Sequence, residues 1–170
     1  MVDLCDPAKR LPIDIEVALS RLRQMNEHAR VVLGLNLQEA KQISHVVDLP
    51  VPADPEASIE EMAASLRETL GLQGVVVHPR TSAAAAWQQS DGEVSTGYFH
   101  GPFTCRPALS TGAGDNFNAG FCLGLLAELP LDLALCVGTA TSGYYVRQAK
   151  SPTLDAVAEF CDALPEPEPA

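Results

Sequence analysis

Positive charge is scarce in this chain. Eleven Lys and Arg stand against twenty-two Asp and Glu, a formal net charge of −11 at pH 7. Binding along a phosphate backbone or an anionic lipid surface needs a positive face, so nucleic acid and membrane are not expected partners. Aromatic residues are also few, at 5%. That argues against an aromatic-rich sandwich and for close-packed helices on a sheet. A long uninterrupted apolar run is missing too: the most apolar stretch, residues 117–140, is broken by Glu128, Pro130 and Asp132, too often for a bilayer span. No basic leader is visible, since Met1 to Pro7 carries Asp3 and Asp6 where a signal peptide needs positive charge. The expectation is a soluble, cytoplasmic chain.

The cysteines exclude something as well. The five stand at 5, 105, 122, 136 and 161, an odd count with no Cys-x-x-Cys pair and no histidine at metal-ligand spacing. Neither a zinc site nor a disulfide framework follows. Cys5, Cys122, Cys136 and Cys161 have apolar sequence neighbours and are expected to be small buried hydrophobes in a reducing compartment.

What is present suffices for a core: 46% of the 170 residues are apolar and 19% charged, enough for one modest domain or a piece of a larger one. The opening, Met1 to Pro7, reads as a short strand with no cap or arm before it, so its sheet neighbours are expected upstream. Ile15, Leu19, Leu22 and Met25 make a helical stripe within 13–30. A buried strand follows over 29–35, ending around Gly34, and Asn36 opens a second helix. Three prolines mark 48–57 as a loop. Ser58 followed by Glu61 is a capping-box pattern launching a helix that Gly71 stops. Val75 to Val77 reads as a short buried strand with Ala83 to Trp87 as its partner strand, Asp91-Gly92 as a hairpin turn, and 93–99 as a further strand. Helices are expected over about 114–129, 131–148 and 153–163. Pro165 to Ala170 should be an extended, mobile tail. Strands separated by helices mean α/β with a mainly parallel sheet.

The densest chemical signal is Ser110-Thr111-Gly112-Ala113-Gly114-Asp115-Asn116-Phe117, immediately before an amphipathic helix with Phe117, Phe121, Leu125 and Leu129 on one face. Glycines allow a sharp turn that exposes backbone amides, and the helix N-terminus adds positive partial charge. Together they make an anion cradle. Asp115, just inside it, is placed to take a proton from a hydroxyl approaching the same anion. Asp in a first turn is also an ordinary helix start; the packed run of small residues favours the cradle. A dinucleotide fingerprint is rejected, because Phe117 stands where its third glycine belongs, and a Walker lysine is absent. His28, His45, His78 and His100 lie far apart with no pairing motif and read as solvated or hydrogen-bonded loop residues. Trp87 reads as packing.

The string Thr111 to Phe121 resembles the C-terminal signature of the ribokinase-like (PfkB-type) carbohydrate kinases. Asp3-Leu4-x-Asp6-Pro7-x-x-Arg10 resembles that family's strand ending in Asp-Pro, and Asn36-Leu37-Gln38-Glu39 its Asn-x-x-Glu motif. The resemblance covers residues 1–163, with 164–170 as the flexible tail. It implies a three-layer α/β/α fold lacking the N-terminal half and lid, and transfer of the ATP γ-phosphoryl group to a sugar-type hydroxyl. By the same resemblance Asp115 is the catalytic base and Gly112, Ala113 and Gly114 form the anion hole. Asn36 and Glu39 hold hydrated magnesium through water; apart from the resemblance they are an N-cap and capping box. Thr111 joins the nucleotide phosphates. His78-Pro79-Arg80 stands where the family has Thr-x-Gly, which makes Arg80 a phosphate candidate. Gly138-Thr139-Ala140 stands where an Asn near the adenine is usual, which makes Thr139 the candidate there. Leu109 replaces an aspartate that serves a monovalent cation in many members. The front half, with its sugar-binding residues, is not in this sequence. The alternative is a non-catalytic nucleotide- or phosphate-binding module or inactive fragment. An exposed sheet edge at the first strand would promote self-association.

Overall fold

The computed structural model describes residues 1–5 and 7–169; Asp6, the aspartate of the Asp-Pro resemblance, lies outside them. The chain forms two compact units. The first is Met1–Pro79 with Ala84–Thr96, the second Arg80–Ala83 with Gly97–Ala170. A five-stranded sheet has the order β1 (Val2–Asp3), β2 (Val32–Leu35), β3 (Gly74–Val77), β4 (Ser82–Gln88) and β5 (Val94–His100). The pairings β1–β2 and β2–β3 are parallel, but β3–β4 is antiparallel. The expectation of a mainly parallel sheet therefore holds only for the first three strands. The two residues Asp91-Gly92 lie at a further reversal, between β4 and β5: Gly92 takes φ 90° and the Gln89 amide donates to the Glu93 carbonyl at 2.7 Å, a tight turn.

In the first unit, β2 and β3 are buried along their whole length, as parallel strands covered on both faces must be. Three helices, α1 (Pro12–Asn26), α2 (Leu37–Val46) and α3 (Ile59–Leu70), pack with the face that carries Leu33, Leu35, Val75 and Val77. Ile15, Leu19 and Leu22 of α1 join Ile43, Leu66, Val75 and Ala86 in one apolar cluster. Each large aliphatic side chain so buried is worth roughly 1.5–3 kcal/mol of transfer free energy. Met25, placed on that stripe by spacing, is instead 51% exposed, since α1 ends one residue later. The strand expected from Ala29 begins at Val32, because the Val31 amide is taken by the Asn26 side chain at 2.9 Å. Gly71 stops α3 in a left-handed conformation, as expected, but Ser58 makes no side-chain cap there; the preceding turn is closed by Asp54 accepting from the Ala57 amide. Trp87 packs on Gly74, where a Cβ would meet Trp87 Cε3 at 2.7 Å.

The second unit is built on α4 (Ala113–Leu126), α5 (Leu131–Gln148) and α6 (Leu154–Asp162). Small residues let α4 and α5 approach closely: a Cβ on Gly124 would lie 2.6 Å from Ala134 Cα. Phe117 and Phe121 stack at 6.0 Å and are buried, whereas Leu129, placed on the same face by spacing, lies beyond the helix and is exposed. Thr153 caps α6 by accepting from the Ala156 amide. The cysteines depart from expectation. Cys5 and Cys105 are exposed and the other three half-buried, because Cys122, Cys136 and Cys161 stand on partly exposed flanks of α4, α5 and α6. The described residues of the tail, 164–169, have no helix or strand, but Glu168 is tied to Phe103 and Cys105 by hydrogen bonds.

Candidate functional site

In the second unit the run Ser110–Asn116 turns from loop into helix within three residues. Gly112 is the N-cap of α4, with φ 89°, a backbone conformation that costs an L side chain about 1–2 kcal/mol. Space forbids a side chain as well: a Cβ there would lie 2.9 Å from Tyr145 Oη. That hydroxyl donates to the Thr111 carbonyl at 2.7 Å. The Asn116 side chain donates to the Gly112 carbonyl at 2.9 Å, so both carbonyls of the turn are pinned. The Ala113 amide is turned back onto the Ser110 carbonyl at 3.1 Å. Gly114 and Asp115, the second and third residues of α4, therefore supply first-turn amides with no acceptor inside the helix. No side chain caps this end. Asp115 is exposed at the mouth, where the helix dipole favours its charge.

Thr111, Gly112, Ala113, Gly114 and Asp115 thus form one continuous surface. Thr139 does not join it. Its hydroxyl donates to the Cys136 carbonyl at 3.0 Å and the residue is buried against the place where Gly101 passes. Arg80 sets its guanidinium over the Phe103 ring at 5.1 Å, a cation–π contact on an exposed side chain. Tyr145 and Asn116 brace this turn, and the sequence alone does not single them out. Asn116 stands inside the motif and could have been found, as an amide one turn from Gly112; Tyr145 sits 34 positions from Thr111 with no local signal.

In the first unit, Asn36 and Glu39 close a complete capping box at the start of α2. The Glu39 amide donates to Asn36 Oδ1 at 2.9 Å, and the Asn36 amide donates to Glu39 Oε2 at 2.8 Å. Glu39 is 9% exposed. One oxygen from each side chain is already directed at the helix end. This set fits a magnesium ion that keeps its water shell, and does not fit a direct coordination cage. Among the described residues no group of three or more His, Cys, Asp or Glu could hold a metal ion.

Beyond β3, the His78 amide continues the ladder onto the Leu35 carbonyl at 2.9 Å. Its Nε2 is shut off from solvent, and that desolvation lowers the ring's pKa to about 4 against the opposing pull of Asp3. His78 is thus a neutral imidazole at pH 7. No helix among the described residues is long and apolar enough to cross a membrane.

Comparison with known proteins bears on this arrangement. The chain is 28% identical over 160 residues to the ketohexokinase of Haloferax volcanii, a match that covers 94% of this chain and 40% of that protein. It therefore spans about two-fifths of the curated relative's length. Among solved structures, the nucleoside kinase of Methanocaldococcus jannaschii, an archaeal member of the ribokinase family, superposes with a TM-score of 0.64 at 19% identity, covering 94% of this chain and 46% of that one. The ribokinase of Cryptococcus neoformans, solved in complex with ADP, gives 0.65 at 21% identity, covering 90% and 49%. At those identities the structures establish the ribokinase-like fold. The family model for prokaryotic ketohexokinase matches residues 1–164, and with that match the chain belongs to the prokaryotic ketohexokinase family.

Proposed function

We propose that this chain is the nucleotide- and anion-hole-bearing part of an ATP-dependent kinase acting on a sugar hydroxyl. The observation that carries the reading is the open start of α4: a glycine N-cap whose φ and surroundings disfavour any side chain, followed by two amides without intrahelical acceptors. Phosphoryl transfer needs positioning and charge neutralisation more than covalent chemistry. Gly112, Ala113 and Gly114 would face the transferring phosphoryl group, with the Gly114 and Asp115 amides as donors. Asp115 would take the proton of the attacking hydroxyl, and Thr111 and Arg80 would meet nucleotide phosphates. Thr139, the candidate on the adenine side, is buried with its hydroxyl bonded within α5 and would act there by packing alone. Magnesium, when bound through water near Asn36 and Glu39, would supply charge neutralisation.

The relative's name, ketohexokinase, supports a keto-sugar as acceptor. A second reading is a nucleotide- or phosphate-binding module without catalysis. Calorimetry with ADP, followed by a sugar panel scored for ADP release above the ATPase background, tests both. Weak ADP binding without sugar-dependent turnover is expected of the 170-residue chain, because an acceptor hydroxyl must be held within about 3–3.5 Å of phosphorus. No ADP or phosphate binding at all would end the anion-hole reading. Sugar-dependent turnover would mean that the acceptor site is built from side chains to which the present reading gives only a packing role.

A further inference from the structure

The segment that enters the cradle is held by the chain's own tail. Residues 103–109 run up to Ser110 without helix or strand. On one side α5 secures them: the Ala108 and Leu109 amides donate to the Val146 carbonyl at 2.7 and 3.3 Å, and Arg147 Nη2 donates to the Phe103 carbonyl at 3.4 Å. From the tail comes Glu168. Its amide donates to the Phe103 carbonyl at 3.0 Å. Its Oε2 accepts from the Cys105 amide at 2.7 Å and from the Thr104 hydroxyl at 3.1 Å. Thr104 is 7% exposed, and its oxygen also accepts from the Arg106 amide. A carboxylate between an amide and a hydroxyl makes charge-assisted bonds, stronger than neutral ones. Pro165, Pro167 and Pro169 restrict the tail to extended backbone, so little chain entropy is lost when it docks.

These contacts are continuous with the cradle. Val146 follows Tyr145, whose hydroxyl holds the Thr111 carbonyl at 2.7 Å. The segment tied down by Glu168 is therefore the one whose far end carries Thr111 to Asp115. We propose that Glu168 is a positioning residue for the anion cradle, bridging Thr104 and Cys105 so that the chain enters Thr111 at a fixed place. The proposal rests on reading Thr111–Asp115 as an anion site and adds a distant residue on which that site depends.

Cys105 supplies an internal reporter. The Glu168 carboxylate beside it raises the thiol's pKa, and the same interaction, with the Cys105 amide, holds the Glu168 carboxyl below its usual range. Alkylation requires the thiolate, so releasing the tail accelerates it. The test compares the wild-type 170-residue chain with Glu168→Gln and Glu168→Asp. Three quantities are measured: iodoacetamide modification of Cys105 by peptide mass spectrometry, ADP affinity by calorimetry, and the melting temperature. Glu168→Gln is expected to alkylate at least about twofold faster and to bind ADP roughly three- to tenfold more weakly, with the fold intact. Glu168→Asp, one methylene short, should fall between. A tail that only stabilises the fold would lower the melting temperature and leave ADP affinity unchanged; that result overturns the proposal. Unchanged Cys105 reactivity overturns it as well, by showing that the strap does not form in solution. If the wild-type chain itself binds no ADP, the anion-site reading fails and takes the positioning role with it, while Cys105 reactivity still reports whether the strap exists.

Discussion

Two helix starts in this molecule solve the same problem in opposite ways. At α2 the orphan amides are met by the chain's own side chains: Asn36 and Glu39 exchange hydrogen bonds at 2.9 and 2.8 Å. At α4 no side chain caps the helix, and the residue in the cap position is a glycine at φ 89°. The first arrangement is self-contained and needs nothing from outside. The second leaves polar donors at a positive helix end, open to water or to an anion. The closed start completes its own hydrogen bonds, and the open one, with glycine at positive φ, is the end that the proposed anion site would use.

The largest test of this contrast falls on the open end. In a protein that turns over sugar, Asp115→Asn should lower turnover by roughly 10²–10⁴-fold, the usual worth of a positioned base, with ADP affinity nearly unchanged. Retention of most of the wild-type turnover would remove Asp115 from that role.

Acid probes the unit that holds the closed end. The His78 ring is kept neutral, with its pKa lowered to about 4 from 6.5. Its contribution is fully present above pH 6.5 and is lost as pH falls toward about 4, because only the unfolded chain takes up the proton in that window. The loss amounts to roughly 3 kcal/mol at most. Urea melts at several pH values should show that slope in the wild type and a flatter one in His78→Gln; equal slopes would assign the acid sensitivity elsewhere.

Gly112→Ala attacks the open start directly. The positive φ and the displacement of Tyr145 Oη should together cost about 1–3 kcal/mol, and ADP binding should weaken beyond what the loss of folded protein explains. An alanine variant with wild-type ADP affinity would mean that the turn is not the anion site.

The closed start should give the smallest effects. Asn36→Ala is expected to lower stability by about 0.5–2 kcal/mol, the ordinary value of a cap, and to leave ADP affinity alone. Glu39→Gln separates cap from magnesium. A raised magnesium requirement in a sugar-phosphorylating protein would show that the closed start also serves the ion. A superimposable titration beside a lowered melting temperature would leave it a cap.

Both helix starts were legible in the sequence, because each is decided within four residues. Asn36 and Glu39 are three apart, the reach of one helical turn, and the Gly112-Ala113-Gly114 run announces a turn no other composition makes as readily. Gly71 was legible for the same reason, as was Asp91-Gly92. Ser58 with Glu61 had the right spelling and formed no side-chain cap, since Asp54 had already closed the preceding turn. Spacing also placed Met25 and Leu129 on apolar faces, but helix ends and the limits of the core left both exposed.

By itself, then, the sequence determined the α/β class, the capping box that opens α2, the glycine stop of α3, the glycine turn that opens α4 and the family resemblance. The local features among these depend on hydrogen bonds and dihedral preferences between residues a turn apart. Tertiary structure alone decided that β4 runs antiparallel to β3, that Thr139 turns inward, that Tyr145 holds Thr111 and that Glu168 reaches back to Cys105. Most of those contacts join residues far apart in the chain, where neither spacing nor propensity carries information. Only the packing of one element on another brings their polar atoms within hydrogen-bond distance.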